Sequence, residues 1–323
     1  MVSKMIRKIK NGFHYCRKHG LVSTLHQIFI NDYAIYRDLP PEKYEAALKQ
    51  WYKRATGKTL DLQHPRTYSE KLQWLKLYDS TPLKTRLADK YLVREWVKEK
   101  IGEEYLIPLL GVWNDFDEID FEKLPDQFVL KATHGSGWNI IVRDKSKLDK
   151  RAAGKKFKKW LNTNYAFMNG FELHYMNIQP QIIAEAYVQT KNEDLYDYKI
   201  FCFGGKAEAI LFVSDRSTKL TKIFCDLNQN RQEDTFTRFL SDAAPVSLEQ
   251  LDLMIDLSEK LSEDFSHVHI DFYILNDGSV KFGEMTFSPA SGLRDWDSAE
   301  QDRIYGDLLH LPVQKSPRPV CKP

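Results

Sequence analysis

Cysteine is scarce in this chain of 323 residues, which contains only four. Cys16, Cys202, Cys225 and Cys321 lie far apart, and no two of them have the short spacing typical of metal ligands. A zinc site and structural disulfides are therefore not expected. The chain also lacks an uninterrupted apolar run of about 18 residues, the length needed to span a membrane as a helix. We expect a cytoplasmic protein.

A charge excess of one sign is also missing. Lysine and arginine number 47 and aspartate and glutamate 45, which gives a net charge of +2. A dedicated nucleic-acid-binding protein usually has a strong basic excess, so nucleic acid is not an expected partner. With 15 glycines and 13 prolines, the chain is neither collagen-like nor of low complexity.

The N-terminus is the one segment with a clear local charge imbalance. Six basic residues precede the first acid, Asp32, and apolar residues recur there at helical spacing. Residues 1–37 therefore form a predicted basic amphipathic arm. Either residues 1–20 contact an anionic membrane surface or an assembly partner, or the arm packs on the protein with its basic face in solvent.

The hydrophobic pattern changes from helical to strand-like near residue 105, which predicts an α+β fold with more than one lobe. Residues 38–104 have helical patterns at 42–57, after 67 and at 83–100. Short apolar runs then alternate with turns through two predicted subdomains, 105–180 and 181–311. Residues 312–323 are expected to form a loose tail.

A predicted hairpin near the C-terminus carries the first candidate site. If Asp277 and Gly278 form a two-residue loop, Asp271 lies directly opposite Glu284, and His269 lies opposite Thr286 on the same face. Adjacent carboxylates repel each other, and a Mg²⁺ ion would compensate for that repulsion. If the loop is longer, the two acids need not meet.

Two further segments combine apolar strands with charged residues. Lys131 ends one strand and is followed by a Gly-Ser-Gly turn, in which backbone N–H groups can approach an anion. Glu185 interrupts another apolar strand. Asp197 and Lys199 share one face of a third strand, where they could simply form an ion pair.

The order of these segments resembles the ATP-grasp superfamily, and closely its TupA-like branch, which is associated with teichuronopeptide and bacterial surface-polysaccharide genes. The resemblance covers about residues 50–310. Its motifs are ThrTyrSerGluLysLeuGln (67–73), AlaAspLysTyr (88–91), LysAlaThrHisGlySerGly (131–137), GluAlaTyrVal (185–188), AspTyrLys (197–199), HisIleAsp (269–271) and GlyGluMetThrPhe (283–287).

The resemblance implies an ATP site in a small subdomain with a glycine-rich loop, and a metal site in a larger antiparallel sheet. Lys90 and Lys131 would contact ATP phosphates. The loop over the phosphates would consist of His134, Gly135, Ser136 and Gly137. The hinge that binds adenine would consist of Glu185, Ala186, Tyr187 and Val188.

The resemblance also implies a metal and a catalytic group. Asp271 and Glu284 would hold Mg²⁺, with Thr286 as a third ligand where the superfamily often has asparagine. Lys199 would lie near the phosphates or the acceptor. His269 stands where an arginine is common and is the second candidate catalytic residue.

The function implied is an ATP-dependent carboxylate–amine ligase of bacterial cell-surface polysaccharide biosynthesis, such as capsule assembly. It would convert a uronic acid or similar carboxylate on a sugar or glycan to an acyl phosphate and then to an amide with an amino acid or amino alcohol. Its cofactors would be ATP and Mg²⁺. A glycosyltransferase, an ATP-dependent phosphotransferase and a non-catalytic nucleotide-binding scaffold are the alternatives.

Overall fold

A computed structural model describes residues 32–188, 196–214, 221–227, 246–293, 296 and 298–312. Most of the predicted basic arm and of the predicted tail lies outside the described residues. Among the helices that are described, none is both long and apolar enough to cross a membrane.

The secondary structure consists of helices in both halves of the chain and strands from residue 109 onward. The helices are α1 (Asp32–Tyr36), α2 (Tyr44–Thr56), α3 (Tyr68–Tyr78), α4 (Pro82–Ala88), α5 (Val93–Lys100), α6 (Lys150–Leu161), α7 (Leu248–Ser262) and α8 (Ala299–Leu308). The strands are β1 (Leu109–Trp113), β2 (Phe128–Ala132), β3 (Asn139–Val142), β4 (Ile182–Ala186), β5 (Asp197–Phe203), β6 (Lys206–Ser214), β7 (Thr221–Asp226), β8 (His267–Ile274) and β9 (Val280–Thr286).

The chain forms two compact units. Among the described residues, the first combines 32–80, 164–176 and those from 288 onward, and the second combines 81–163 and those between 177 and 287. The first unit is helical where it is described, and its core is rich in aromatic side chains. Tyr36, Tyr44 and Phe167 all lie within 6.0 Å of Phe171, measured between ring centroids.

Helix α3 begins as its sequence predicts. The Thr67 side chain accepts a hydrogen bond from the Glu70 backbone N–H, and the Glu70 carboxylate accepts from the Thr67 N–H. This reciprocal pair satisfies two donors that the first turn of a helix leaves free. The buried Asp302 carboxylate then accepts from both the backbone and the hydroxyl of Ser69, which joins α3 to α8.

The single helix predicted over 83–100 is wrong, because the chain breaks between α4 and α5. The buried Asp89 carboxylate accepts hydrogen bonds from the backbone N–H groups of Tyr91 and Leu92. Aspartate competes in this way with the helical hydrogen bonds of the backbone. The break frees the Lys90 N–H to donate to the Thr133 carbonyl oxygen at the end of β2.

The second unit contains two sheets, in which all described strand pairs are antiparallel. The small sheet has the order β1-β4-β2-β3, and the large sheet has the order β7-β6-β5-β8-β9. Helix α6 covers one face of the small sheet, where Ala153 and Phe157 join a core with Phe128 and Leu130. The predicted α+β class is confirmed.

Candidate active site

A buried ion-pair network lies on the open face of the small sheet, the face that α6 does not cover. Because Lys131 pairs with Ile183 in the β2–β4 register, Glu185 lies two residues along from its partner and on the same face. Lys131 Nζ lies 2.5 Å from Glu185 Oε2. The side chains are only 19% and 10% exposed, so water screens this pair weakly.

Arg94 completes the network, and sequence reasoning missed it. Its Nη1 lies 3.1 Å from Glu185 Oε1, and its Nη2 donates to the Ile107 carbonyl oxygen at 2.8 Å. Each oxygen of Glu185 therefore has its own cation. The sequence contains one signal for Arg94. It stands three residues before the buried Val97 on α5, and residues three apart on a helix lie on the same face.

The helix break places Lys90 between the glycine-rich loop and the large sheet. Lys90 Nζ donates to the Gly135 carbonyl oxygen at 2.8 Å and lies 3.4 Å from Glu284 Oε2. The predicted phosphate-binding lysine thus contacts both the predicted loop and a predicted metal ligand. A continuous helix over 83–100 would have lacked the turn that frees the Lys90 backbone for this position.

The glycine-rich loop has a buried base and an exposed tip. Ser136 and Gly137 are exposed, and Gly137 has a φ of +70°, a conformation that glycine adopts without strain. The loop closes where the Ala132 N–H donates to the Trp138 carbonyl oxygen at 2.9 Å. Its tip therefore consists of small exposed residues, while Lys90 contacts the loop at the buried Gly135.

His134 lies at the buried base of this loop. Its Nε2 is 3.0 Å from the Trp160 carbonyl oxygen, and its ring contacts the Trp138 ring edge-on. Burial lowers the pKa of His134, so the ring is neutral at pH 7 and Nε2 donates to that carbonyl. The ring anchors the loop to α6, and its role as a nucleotide contact stays a prediction.

The predicted adenine hinge, residues 185–188, continues from the end of β4. The Ala186 N–H donates to the Pro108 carbonyl oxygen at 2.9 Å, so this amide already has a partner. Tyr187 and Val188 are half-buried and follow the strand. Residues 189–195 lie outside the described part of the chain.

The large sheet places Lys199 directly opposite Asp271 in the β5–β8 register, and Lys199 Nζ donates to Asp271 Oδ2. Burial alone would raise the pKa of Asp271, but Lys199, and after it the neighbouring His269, outweigh burial and hold it at about 2. Burial likewise favours neutral Lys199, but Asp271 and Glu284 raise its pKa overall. Both groups are therefore charged at neutral pH.

The hairpin loop differs from the two-residue turn predicted. Ile274 pairs with Val280 and the Leu275 N–H donates to the Ser279 carbonyl oxygen, so the loop is Asn276, Asp277 and Gly278. Gly278 has a φ of +84°, as three-residue loops with a left-handed glycine require. The predicted two-residue loop is therefore wrong.

A β-bulge restores the predicted register beyond the loop. The pairing shifts between Ile270 and Phe272, so Gly283 and Glu284 together oppose Asp271, and His269 pairs with Thr286 as predicted. A Cβ at Gly283 would stand 3.1 Å from the Asp271 Cβ. Glycine therefore lets β9 pass close to Asp271, beside Glu284.

The two carboxylates have the surroundings of a cation site. Burial would raise the pKa of Glu284, but Lys90 is the main cause that lowers it, and Asp271 opposes that effect. Asp271 Oδ1 is buried without a hydrogen-bond partner, although His269 Nε2 lies 3.1 Å away without hydrogen-bond alignment. Thr286 Oγ1 lies 3.5 Å from Glu284 Oε1.

This donor set fits Mg²⁺ better than a transition metal. No group of three or more histidine, cysteine, aspartate or glutamate side chains able to hold a metal occurs in the described residues. Mg²⁺ needs only one or two carboxylates, because water and substrate phosphates complete its shell. Asp271 and Glu284 satisfy that need, and the free Asp271 Oδ1 is one available ligand atom.

These contacts define an α+β protein with a glycine-rich loop, three lysine–carboxylate pairs and two neighbouring carboxylates in one unit. The family model described as TupA-like ATPgrasp matches residues 70–310. The chain belongs to this TupA-like ATP-grasp family. No curated protein matches it significantly.

The chain is also similar to parts of several solved structures. They include D-alanine–D-alanine ligase from Bacillus anthracis with ATP (15% identity, 69% of this chain and 63% of that chain, TM-score 0.39). Another is N5-carboxyaminoimidazole synthase from Aspergillus clavatus with ADP and 5-aminoimidazole ribonucleotide (14% identity, 75% of this chain and 54% of that chain, TM-score 0.41). A third is the biotin carboxylase domain of 2-oxoglutarate carboxylase from Hydrogenobacter thermophilus with MgADP (17% identity, 62% of this chain and 40% of that chain, TM-score 0.38). The matched region is less than two thirds of each of these chains.

Proposed function

We propose that this protein is an ATP-dependent carboxylate–amine ligase of bacterial cell-surface polysaccharide biosynthesis. The observation that carries the proposal is the set of three lysine–carboxylate pairs in the second unit. Lys131 pairs with Glu185, Lys90 with Glu284, and Lys199 with Asp271. Each lysine can turn from its carboxylate to a phosphate oxygen when ATP and a divalent cation bind together.

The nucleotide would lie on the open face of the small sheet. Val129 is half-buried there, and Ile141, its partner on β3, is 56% exposed, an apolar surface suited to the face of adenine. Glu185 to Val188 would bind the adenine edge. Lys131, Lys90 and the loop 134–137 would bind the phosphates, since backbone N–H groups and ammonium groups both stabilise oxyanions.

Asp271 and Glu284 would hold Mg²⁺, with Thr286 as a weaker hydroxyl ligand. A bound ion would offset the negative charge of the phosphate to be transferred. Lys199 would turn from Asp271 toward that phosphate. His269 lies against the same carboxylate and supports its orientation.

The proposed reaction has two steps, formation of an acyl phosphate and then of an amide. A carboxylate oxygen of the substrate attacks the γ-phosphorus of ATP, ADP leaves, and an acyl phosphate forms. An amine then attacks the acyl carbon, phosphate leaves with the former carboxylate oxygen, and the nitrogen loses a proton as the amide forms. The exposed tip of the glycine-rich loop would cover the phosphates, since an acyl phosphate reacts with water.

The substrates we propose are a uronic acid or similar carboxylate on a sugar or glycan and an amino acid or amino alcohol. They follow from the surface-polysaccharide association of the TupA-like branch. Such an enzyme needs ATP, which places it in the cytoplasm. Residues 1–20 would be its contact with the inner membrane face or with an assembly complex.

Hydroxylamine trapping tests the reaction type. We expect a hydroxamate when the protein is mixed with ATP, Mg²⁺, hydroxylamine and uronate oligosaccharides, and none when Lys131 is replaced by alanine. ATP binding without ATP consumption, whichever uronate oligosaccharide is added, would favour the non-catalytic scaffold. Transfer of sugar from a nucleotide-sugar would favour the glycosyltransferase.

A further inference from the structure

Helix α6 carries the densest positive charge in the described part of the second unit. Six of its twelve residues are lysine or arginine and none is acidic. All six are exposed: Lys150, Arg151, Lys155, Lys156, Lys158 and Lys159. None forms an ion pair with a residue that the structure describes, and Lys150 instead lies over the Phe121 ring at 4.7 Å.

This basic face lies behind the small sheet relative to the candidate nucleotide site. Ala153 and Phe157 of α6 pack in the core with Phe128 and Leu130 of β2. Lys131 alternates with those residues along β2, so its side chain stands on the opposite face. The lysines of α6 are therefore not part of the phosphate-binding set.

A groove of about 280 Å³ runs beside this face and combines three kinds of side chain. Lys155 and Lys158 line it with positive charge, Asp117 with a carboxylate, and Phe116 with an aromatic ring. Gly154 allows the helix to approach this ring, since a Cβ there would stand 3.0 Å from Phe116 Cδ1. A side chain at this position would require the ring to shift by a few tenths of an ångström.

This combination matches a carboxylate-bearing sugar. Ammonium groups pair with its carboxylates, and an aspartate accepts hydrogen bonds from its hydroxyl groups. The Phe116 ring, which is 7% exposed, adds an apolar edge to the groove. At about 280 Å³, the groove is slightly below the range of about 300–1,000 Å³ typical of small-molecule sites. A groove of this size would enclose only a short stretch of a polymer, and the further lysines along α6 would contact neighbouring units.

An anionic membrane fits this surface less well. A helix that lies in a membrane interface inserts its apolar face into the lipid, whereas the apolar face of α6 is buried in the core. The exposed large apolar residues of the described chain all lie elsewhere. Asp115 and Asp117 also line the groove, and their carboxylates need hydroxyl donors, which a sugar ring supplies and a lipid phosphate lacks.

We propose that the outer face of α6 and the groove beside Phe116 form a docking site for an acidic polysaccharide, separate from the active site. The choice of polymer rests on the proposed function. The site would keep a polymeric acceptor on the protein while one of its carboxylates reacts on the other side of the sheet.

Binding of oligogalacturonate to the full chain tests this site. Arg151→Gln combined with Lys155→Gln and Lys158→Gln should weaken binding by roughly tenfold at low salt, since each exposed pair contributes modestly. Salt should weaken binding to the unaltered protein as well. The matched control is Lys98→Gln, Lys123→Gln and Lys260→Gln, three exposed lysines elsewhere in the unit, which should bind like the unaltered protein.

Three probes separate the sources of attraction: a neutral maltodextrin, anionic phosphatidylglycerol vesicles and single-stranded DNA. We expect weak binding to all three. Vesicles or DNA bound as tightly as oligogalacturonate, with the same loss in the triple variant, would overturn the proposal. So would equal effects of the triple variant and its control.

Asp117→Ala tests the groove itself. Its backbone N–H donates to Asp115, and the alanine retains that N–H. We expect weaker binding of oligogalacturonate although a negative charge is removed, whereas tighter binding would show attraction by charge alone. Affinity for a non-hydrolysable ATP analogue should not change in any of these variants. If the unaltered protein did not bind ATP, the proposed function would be contradicted, but the docking result would still stand.

Discussion

Lys199 and Asp271 face each other across strands β5 and β8, and the lysine ammonium group donates to one oxygen of the aspartate. The other oxygen is buried without a hydrogen-bond partner in the described structure. Asp271 therefore binds a lysine through one oxygen, and its other oxygen, 3.1 Å from His269 Nε2, has no aligned donor and can accept a cation. This division links the stability of the large sheet to the candidate metal site.

Asp271→Asn should abolish ATP turnover and lower the free energy of unfolding. The substitution leaves the Lys199 ammonium, whose side chain is 14% exposed, without its closest carboxylate. Breaking a buried pair in this way typically costs about 3–5 kcal/mol, so the melting temperature should fall clearly. Differential scanning calorimetry with and without Mg²⁺ measures it.

The control is the double variant Asp271→Asn with Lys199→Met, which removes both charges. Stability should recover in large part while turnover stays absent. Full ATP turnover in Asp271→Asn would show that Asp271 is not a metal ligand.

Acid should destabilise the protein partly through Asp271. Its folded pKa of about 2 lies below the ordinary value of 3.8, so the carboxylate stabilises the fold fully above about pH 4. This contribution, about 2 kcal/mol, should be lost as the pH falls from about 4 to 2. Urea unfolding at pH 6 and pH 3 should show a smaller difference for Asp271→Asn than for the unaltered protein.

Much of the fold could be predicted because its signals are local. Lys131 lies at the end of strand β2 as predicted, and the capping box of α3 is read from Thr67 and Glu70. The break at Asp89 was missed because either a helix or an Asx-type turn suits its local sequence. Packing of Lys90 against Thr133 and Gly135 selects the turn, and no local pattern contains that contact.

The candidate site was predicted in part for the same reason. The register of His269 opposite Thr286 was read correctly although the loop was not, because the bulge at Gly283 and Glu284 compensates for the extra loop residue. Arg94 was missed because it stands 91 residues from Glu185 in sequence. The docking groove depends on Phe116 and α6 meeting, which spacing does not show.

Arg94 should assist ATP binding without touching ATP. It neutralises one oxygen of Glu185, so Lys131 can leave the other oxygen for a phosphate. Arg94→Ala should therefore weaken binding of a non-hydrolysable ATP analogue by about tenfold, since charge-assisted hydrogen bonds contribute about 1.5–3 kcal/mol. Isothermal titration calorimetry measures the affinity.

The matching test is Arg94→Ala combined with Glu185→Gln, which removes the charge that would hold Lys131. Affinity should return toward that of Glu185→Gln alone. A double variant that binds no better than Arg94→Ala would show that the arginine acts only through local packing.

Gly137 should be needed for loop movement more than for stability. Its φ of +70° costs about 1–2 kcal/mol for a residue with a Cβ, although no atom would collide with that Cβ. Gly137→Ala should lower kcat/KM for ATP several-fold. Gly204→Ala, at a φ of +55° in the β5–β6 turn and also with free space, is the matched control. Equal kinetics in the two variants would contradict a special role for the loop.

The most direct measurement of the central claim follows the oxygen of the substrate carboxylate. Uronate oligosaccharides labelled with ¹⁸O in their carboxylates are incubated with the protein, ATP, Mg²⁺ and an amino acid, and the phosphate released is analysed by mass spectrometry. An acyl phosphate predicts ADP, an amide, and phosphate carrying one labelled oxygen. An amide formed with AMP and pyrophosphate, or with ADP and unlabelled phosphate, would contradict the account.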